Sequence, residues 1–260
     1  MAVSASSFPK SSSYTQNNQR VQLSCITLRP NISMPTNAPT DFYSAVFFDM
    51  DGLLIDSEPL WLISETQMMA EYGYQWLESD QAACLGGPLD RVGNYMSNLI
   101  GGKRDGNFLT SEIIERMVEK FQGELPFMPG AIELITDLQA HGVELTLVSA
   151  SPRSLVDAAL SNFAVSPFAR SISSDDVKVS KPDPEGYLLA AASGGHDISN
   201  SLVLEDSLTG VTAAKASGAW VLAVPHLVPI EKSARVDITT SLENWSYERL
   251  AIKYEQDRSI

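Results

Sequence analysis

Residues 45–61 read AVFFDMDGLLIDSEPLW. Ala45–Phe48 is an apolar run of strand length that stops at Asp49, with Asp51 two places on and Gly52 behind it. Such a run reads as a buried strand. In open α/β sheets, ligands bind in the crevice outside the carboxyl ends of the strands. Carboxylates placed there can hold a hard divalent cation through oxygen, which suits Mg²⁺. An ionised Asp is also a competent phosphoryl acceptor. Alone, Asp-x-Asp is a weak signal, since acids decorate many loops.

Working outward, further apolar runs of strand length occur at Glu144–Val148, Leu202–Leu204 and Trp220–Val224. Helical patterns lie between them. Pro129-Gly130 precedes Ala131, Leu134, Ile135 and Leu138, with Gly142 as the stop, and others cover Arg153–Phe163, Glu185–Ala192 and Leu208–Ser217. Strand–helix alternation of this kind predicts an α/β fold, a Rossmann-like parallel sheet core with helices on both faces.

The stretch from Ile55 to Phe127 breaks the alternation. Ser57 and Pro59 mark a helix start, after which Trp61, Glu65, Met68 and Tyr72 share a face. A second helix near Glu112–Phe121 carries Ile113, Met117 and Phe121 at spacings of four. This predicts a small helical cap inserted after the first strand, placed to act as a lid. The expected division is 41–54 and 128–240 for the core, 55–127 for the cap, and 1–40 for an N-terminal extension. Residues 1–40 hold Lys10, Arg20 and Arg29, no acid, and much Ser, Thr, Asn and Pro. That composition predicts disorder. It also fits an organelle transit peptide, or a dull upstream extension with Met34 as the true start; the lack of a clear amphipathic helix favours the latter.

The chain has 260 residues, 44% hydrophobic and 19% charged, an ordinary globular composition. No apolar run approaches the roughly 20 residues a membrane span needs. A net charge of −14 makes nucleic acid and anionic lipid poor partners. A small metabolite is the expected partner, in a soluble, cytoplasmic and monomeric protein. Cys25 and Cys84 form no CxxC pair, and His141, His196 and His226 are scattered, so zinc spacing is absent and free thiols are expected.

Three more signals sit at or beyond strand ends. Leu147-Val148-Ser149-Ala150-Ser151 offers a hydroxyl and backbone N–H groups to phosphate oxygens, although a helix cap before Pro152 explains it as well. Ser180-Lys181-Pro182-Asp183-Pro184 presents a cation that could neutralise a transferring phosphoryl group, although most single lysines are merely solvated. Leu202-Val203-Leu204-Glu205-Asp206-Ser207 ends an apolar strand in two adjacent acids, costly unless a cation compensates. There the functional reading leads.

Taken in order, Asp-x-Asp, Ser, Lys and Glu-Asp resemble the motifs of the haloacid dehalogenase-like hydrolase superfamily, over about residues 42–227. FFDMDGLLIDSEPLW, LVSASP, SKPDPEGYLLAA and LEDSLTGVTAAKASG look most like the sugar-phosphate phosphatases of the subgroup that includes β-phosphoglucomutase, such as hexitol-phosphate and 2-deoxyglucose-6-phosphate phosphatases. The resemblance implies a Mg²⁺-dependent phosphatase. Asp49 would be the nucleophile and a metal ligand. Asp51 would be the general acid and base, its carbonyl on the metal. Ser149, Ala150 and Lys181 would hold the phosphoryl oxygens. Asp206 would ligate the ion directly, with Glu205 in contact with it or one step behind. Asp51 argues against dehalogenation, whose enzymes lack the second acid. A phosphosugar mutase is the alternative, but Trp61 stands where the mutase has a His, and Asp90, with Arg91 one place on, where it has an Arg. An inactive binding module is a third reading, and the survival of every motif residue argues against it. Glu58 and Arg91 are weaker substrate candidates, and Trp61 is expected in the core.

Overall fold

The structure, a computed structural model, describes residues 41–86, 88–226 and 228–259. The expectations for residues 1–40, Cys25 included, lie outside the described residues. The apolar run before Asp49 forms β1 (Val46–Phe48), wholly buried. It is followed by β2 (Leu145–Val148), β3 (Arg170–Ile172), β4 (Leu202–Glu205), β5 (Trp220–Ala223) and β6 (Val236–Ile238). All pair in parallel, in the order β3-β2-β1-β4-β5-β6.

Parallel strands need crossovers, and the chain supplies helices for them. α1 (Glu58–Glu71), α2 (Glu78–Cys84), α3 (Leu89–Leu99), α4 (Gly106–Phe121) and α5 (Ala131–Ala140) lie between β1 and β2. α6 (Arg153–Leu160), α7 (Glu185–Gly194), α8 (Leu208–Ser217) and α9 (Tyr247–Arg258) follow. Alternation along β1 sends Phe48 into a cluster with Leu134, Leu138, Leu155 and Leu250, from α5, α6 and α9. Phe47 faces the other way, among Tyr187, Ala190, Val211 and Ala214 of α7 and α8. Each buried Phe contributes about 1.5–3 kcal/mol. The sheet is covered on both faces, as expected.

The helices between residues 57 and 125 gather a third cluster, with Met68, Met69, Trp76, Val92, Met96, Leu109 and Ile113. The chain leaves for this region and returns side by side. The Asp56 N–H donates to Pro126 O at 2.8 Å and the Met128 N–H to Leu54 O at 2.9 Å. Ile55 and Phe127 form the antiparallel bridge between them. Trp61 touches both the sheet cluster and this third cluster, partly buried in each. Cys84 is a buried free thiol. No helix among the described residues is long and apolar enough to cross a membrane.

The structure also adds elements. β3 and β6, the two edge strands, α2 and α3 in the insert, and α9 beyond residue 240 were not singled out from the sequence. The helix expected at Glu112–Phe121 begins earlier, at Gly106, where Asp105 caps it by accepting from the Phe108 N–H at 3.0 Å. The one expected at Arg153–Phe163 ends at Leu160, where Ser161 caps it.

Candidate active site

Register decides where the acids meet. Phe48 is level with Leu204 of β4 and Leu147 of β2. The residues that follow therefore emerge at one end of the sheet: Asp49 from β1, Glu205 and Asp206 from β4, Ser149 from β2. The Asp49 N–H donates to Leu204 O at 3.1 Å, fixing the nucleophile candidate against β4. Lys181 enters from the segment before α7. Its side chain is 5% exposed and donates to Asp49 Oδ1 at 2.5 Å, Glu205 Oε1 at 2.7 Å and Val148 O at 2.9 Å.

Asp49, Glu205 and Asp206 each place a carboxylate oxygen within 4.8 Å of the others. All three are buried, at 6%, 0% and 7% exposure. One ammonium is too little for three carboxylates. Burial, then the charge of Glu205, holds Asp49 well above the usual carboxylate range despite Lys181. Burial, then Asp49, does the same to Asp206. Lys181 is itself raised, because Asp49 and Glu205 more than offset the lowering effect of its burial. The surplus negative charge, on hard oxygen donors, suits a small divalent cation such as Mg²⁺.

The two acids after β4 differ. Glu205 Oε1 accepts from Lys181 and from the Tyr187 hydroxyl at 2.9 Å. Its Oε2 accepts from the Asp206 N–H at 3.0 Å, and from the Ser207 N–H and hydroxyl, each at 3.1 Å. Five donors satisfy both oxygens. Among the described residues the Asp206 carboxylate accepts no hydrogen bond, and it lies against Gly52, where an added Cβ would be 2.1 Å from Oδ2. Asp206 is free to ligate, whereas Glu205 is engaged in holding Lys181 and the α8 entry.

Asp51 points elsewhere. Its Oδ1 accepts from the Ser57 hydroxyl at 2.8 Å, and its Oδ2 from Ser151 at 2.8 Å and Ser149 at 3.4 Å. The two carboxyls of Asp49-x-Asp51 thus have different surroundings, metal-suited acids for one and hydroxyls for the other. Ser149 is buried at the end of β2, and its Oγ also accepts from the Ser151 N–H at 2.9 Å. Ala150 is exposed beside it.

Glu58 begins α1, half-buried, its carboxyl raised by burial and by the charges of Asp51 and Asp56. Arg91 is exposed on α3 and donates to Ala83 O at 2.7 Å, outside the Asp49 cluster. The structure thus brings together six expected residues: Asp49, Asp51, Ser149, Lys181, Glu205 and Asp206. The sequence reading missed Ser57, Ser151 and Tyr187. The two serines lie within the quoted motifs, but only the fold shows that both turn to Asp51.

Fold and site together define a hydrolase of the parallel-sheet kind, with paired aspartates after the first strand and a cation-suited acid cluster. The haloacid dehalogenase-like hydrolase family model matches residues 46–224, and the chain belongs to that family. It is 33% identical to hexitol phosphatase B of Escherichia coli (strain K12) over 185 residues, 70% of this chain and 83% of the relative. It is 29% identical to validoxylamine A 7'-phosphate phosphatase of Streptomyces hygroscopicus subsp. limoneus over 204 residues, 75% of this chain and 92% of that protein. Among solved structures, β-phosphoglucomutase from Clostridium difficile superposes with a TM-score of 0.68 at 17% identity, covering 84% of this chain and 100% of that one, a likeness of fold.

Proposed function

We propose that this phosphoric monoester hydrolase acts on a small phosphorylated sugar or sugar alcohol, with Asp49 as nucleophile and Asp51 as general acid and base. One observation carries the reading: a buried carboxylate paired with a buried lysine beside a free Asp206, while Asp51 is held apart by three serines. The names of the phosphatase relatives support the substrate class.

Lys181 occupies Asp49 Oδ1, which leaves Oδ2 to attack phosphorus. The ester P–O bond breaks as the Asp49–phosphorus bond forms, and Asp51 gives its proton to the leaving oxygen. A water then enters, Asp51 takes its proton, and the new P–O bond releases Asp49 and inorganic phosphate. Lys181 and Ser149 neutralise and hold the phosphoryl oxygens. Asp49 and Asp206 would hold Mg²⁺, which supplies positive charge against the phosphoryl group when bound. The segment 55–127 would serve as the lid that sets specificity, leaving and returning through the Ile55–Phe127 ribbon.

The test is phosphate release from hexose, hexitol, glycerol and glycolate phosphates with Mg²⁺. The expected result is release from sugar or sugar-alcohol esters, abolished by EDTA and by Asp49→Asn. Interconversion of β-glucose 1-phosphate and glucose 6-phosphate without net release would establish the mutase instead. No turnover of any ester would leave a binding module.

A further inference from the structure

α1 carries a carboxylate that the chemistry at Asp49 does not use. Glu65 is 3% exposed, and its Oε2 has no hydrogen-bond partner among the described residues. Such an atom is rare in a folded protein and calls for an explanation, a ligand among them. Polar groups act on it in an otherwise apolar cap. The Gln81 side chain and the charge of Glu58 both act on it. Cys84 lies close enough to feel its charge, and that of Arg91 as well. Burial first, then Glu58, pushes the Glu65 carboxyl up to about 8.

Its direction follows from helix geometry. Glu58 and Glu65 are seven residues apart on one face, two turns or about 10.5 Å along the axis. The helix begins beside Ser57, whose hydroxyl is already on Asp51. Long helical side chains lean towards the N-terminus, so the Glu65 carboxyl leans back along this stripe towards Glu58 and the reacting end. A carboxyl two turns beyond the helix end that adjoins Asp51 suits an ester whose far hydroxyl lies several carbons from the phosphate, rather than a three-carbon one.

We propose that Glu65 is a specificity-determining residue, hydrogen-bonding the terminal hydroxyl of a long polyol or sugar phosphate at the end remote from the phosphate. This rests on the sugar-phosphate reading above. A purely structural role, in which Glu65 only supports Gln81 and the Trp76 indole bonded to it at 3.0 Å, predicts something different.

The experiment compares kcat/KM for sorbitol 6-phosphate and glycerol 3-phosphate in the full chain with Mg²⁺, for wild type, Glu65→Met and Glu65→Gln. In Glu65→Met the ratio of the two should fall about tenfold, through KM of the hexitol ester, while Glu65→Gln stays within about threefold of wild type. An unchanged ratio overturns the proposal, and so does an equal fall for both esters. Should Glu65→Met not fold, the wild type decides alone. A hexitol 6-phosphate lacking the hydroxyl at C1 must lose about tenfold against its parent, and equal rates overturn the assignment. A wild type inert towards every sugar and polyol ester would instead refute the sugar-phosphate reading, and the assignment of Glu65 with it.

Discussion

Asp51 shows how single hydroxyls give two neighbouring aspartates different surroundings. Ser57 and Ser151 each donate at 2.8 Å, one to each oxygen, and so fix the carboxyl away from the acid cluster. Removing either should let it rotate towards the excess charge or into solvent. Ser151→Ala is expected to lower kcat about tenfold with KM nearly unchanged, in steady-state assays of phosphate release. Glu65 makes a separate prediction about stability. Its carboxyl stands at about 8 in the folded chain against an ordinary 4.5. From about pH 4.5 to about 8 the unfolded chain gives up this proton and the folded chain keeps it. The stability Glu65 contributes is complete below 4.5 and is lost as pH rises through 8. Glu65→Gln does not titrate, so its Tm should gain on wild type between pH 5 and pH 8, by the equivalent of a few kcal/mol at most. Thermal unfolding of both proteins in EDTA checks it; parallel curves would refute the shift.

At the scale of elements, the site is a product of register: three neighbouring strands stop level, and their next residues share a crevice. Gly52 makes that possible on the β1 side. Its φ is +83°, a left-handed conformation that costs an L-residue on the order of 1–2 kcal/mol, and Asp206 occupies the space a Cβ would need. Gly52→Ala should therefore displace Asp206. We expect a loss of at least about a hundredfold in kcat/KM, with the Mg²⁺ concentration for half-maximal rate raised, measured by metal titration of activity. This part of the site was legible in advance because β1, β2, β4 and β5 are central, buried and apolar, so their ends are marked. The edges were not. β3 is Arg-Ser-Ile and β6 is Val-Asp-Ile, both part-exposed, and neither has an apolar run to find. α9 hid for another reason: Lys253 and Asp257 are buried alongside Leu250 and Tyr254, so polar residues fill the positions that periodicity searches for. The bonds to Asp51 and Glu205 were illegible too, since their donors are long-range partners that only folding brings near.

Across the whole molecule, those same polar residues of α9 tie the end of the described chain to its beginning. Lys253 Nζ sits 2.9 and 3.0 Å from the oxygens of Asp257 and 2.6 Å from Asp237 Oδ2 on β6. Asp257 Oδ2 also accepts from the Tyr43 hydroxyl at 2.5 Å, in the segment that leads into β1. Tyr43 and Tyr254 meet edge to face, and Phe42 stacks on Tyr247, so aromatic packing surrounds the ion pairs. A buried ion pair stabilises little against a well-packed apolar substitute, but removing one partner strands the other without a counter-charge. Lys253→Met would leave Asp257 buried with only Tyr43 to serve it, costing about 3–5 kcal/mol. For a chain of this size that lowers Tm by roughly 6–20 °C. Asp257→Asn keeps the Tyr43 hydrogen bond and leaves Lys253 paired with Asp237, so it should cost less than half as much. β6 is two strands removed from β4, roughly 10 Å across the sheet. Both variants should accordingly keep wild-type kcat at 25 °C while differing in Tm by calorimetry. A loss of kcat in fully folded Lys253→Met would mean that α9 communicates with the Asp49 end of the sheet rather than only closing it.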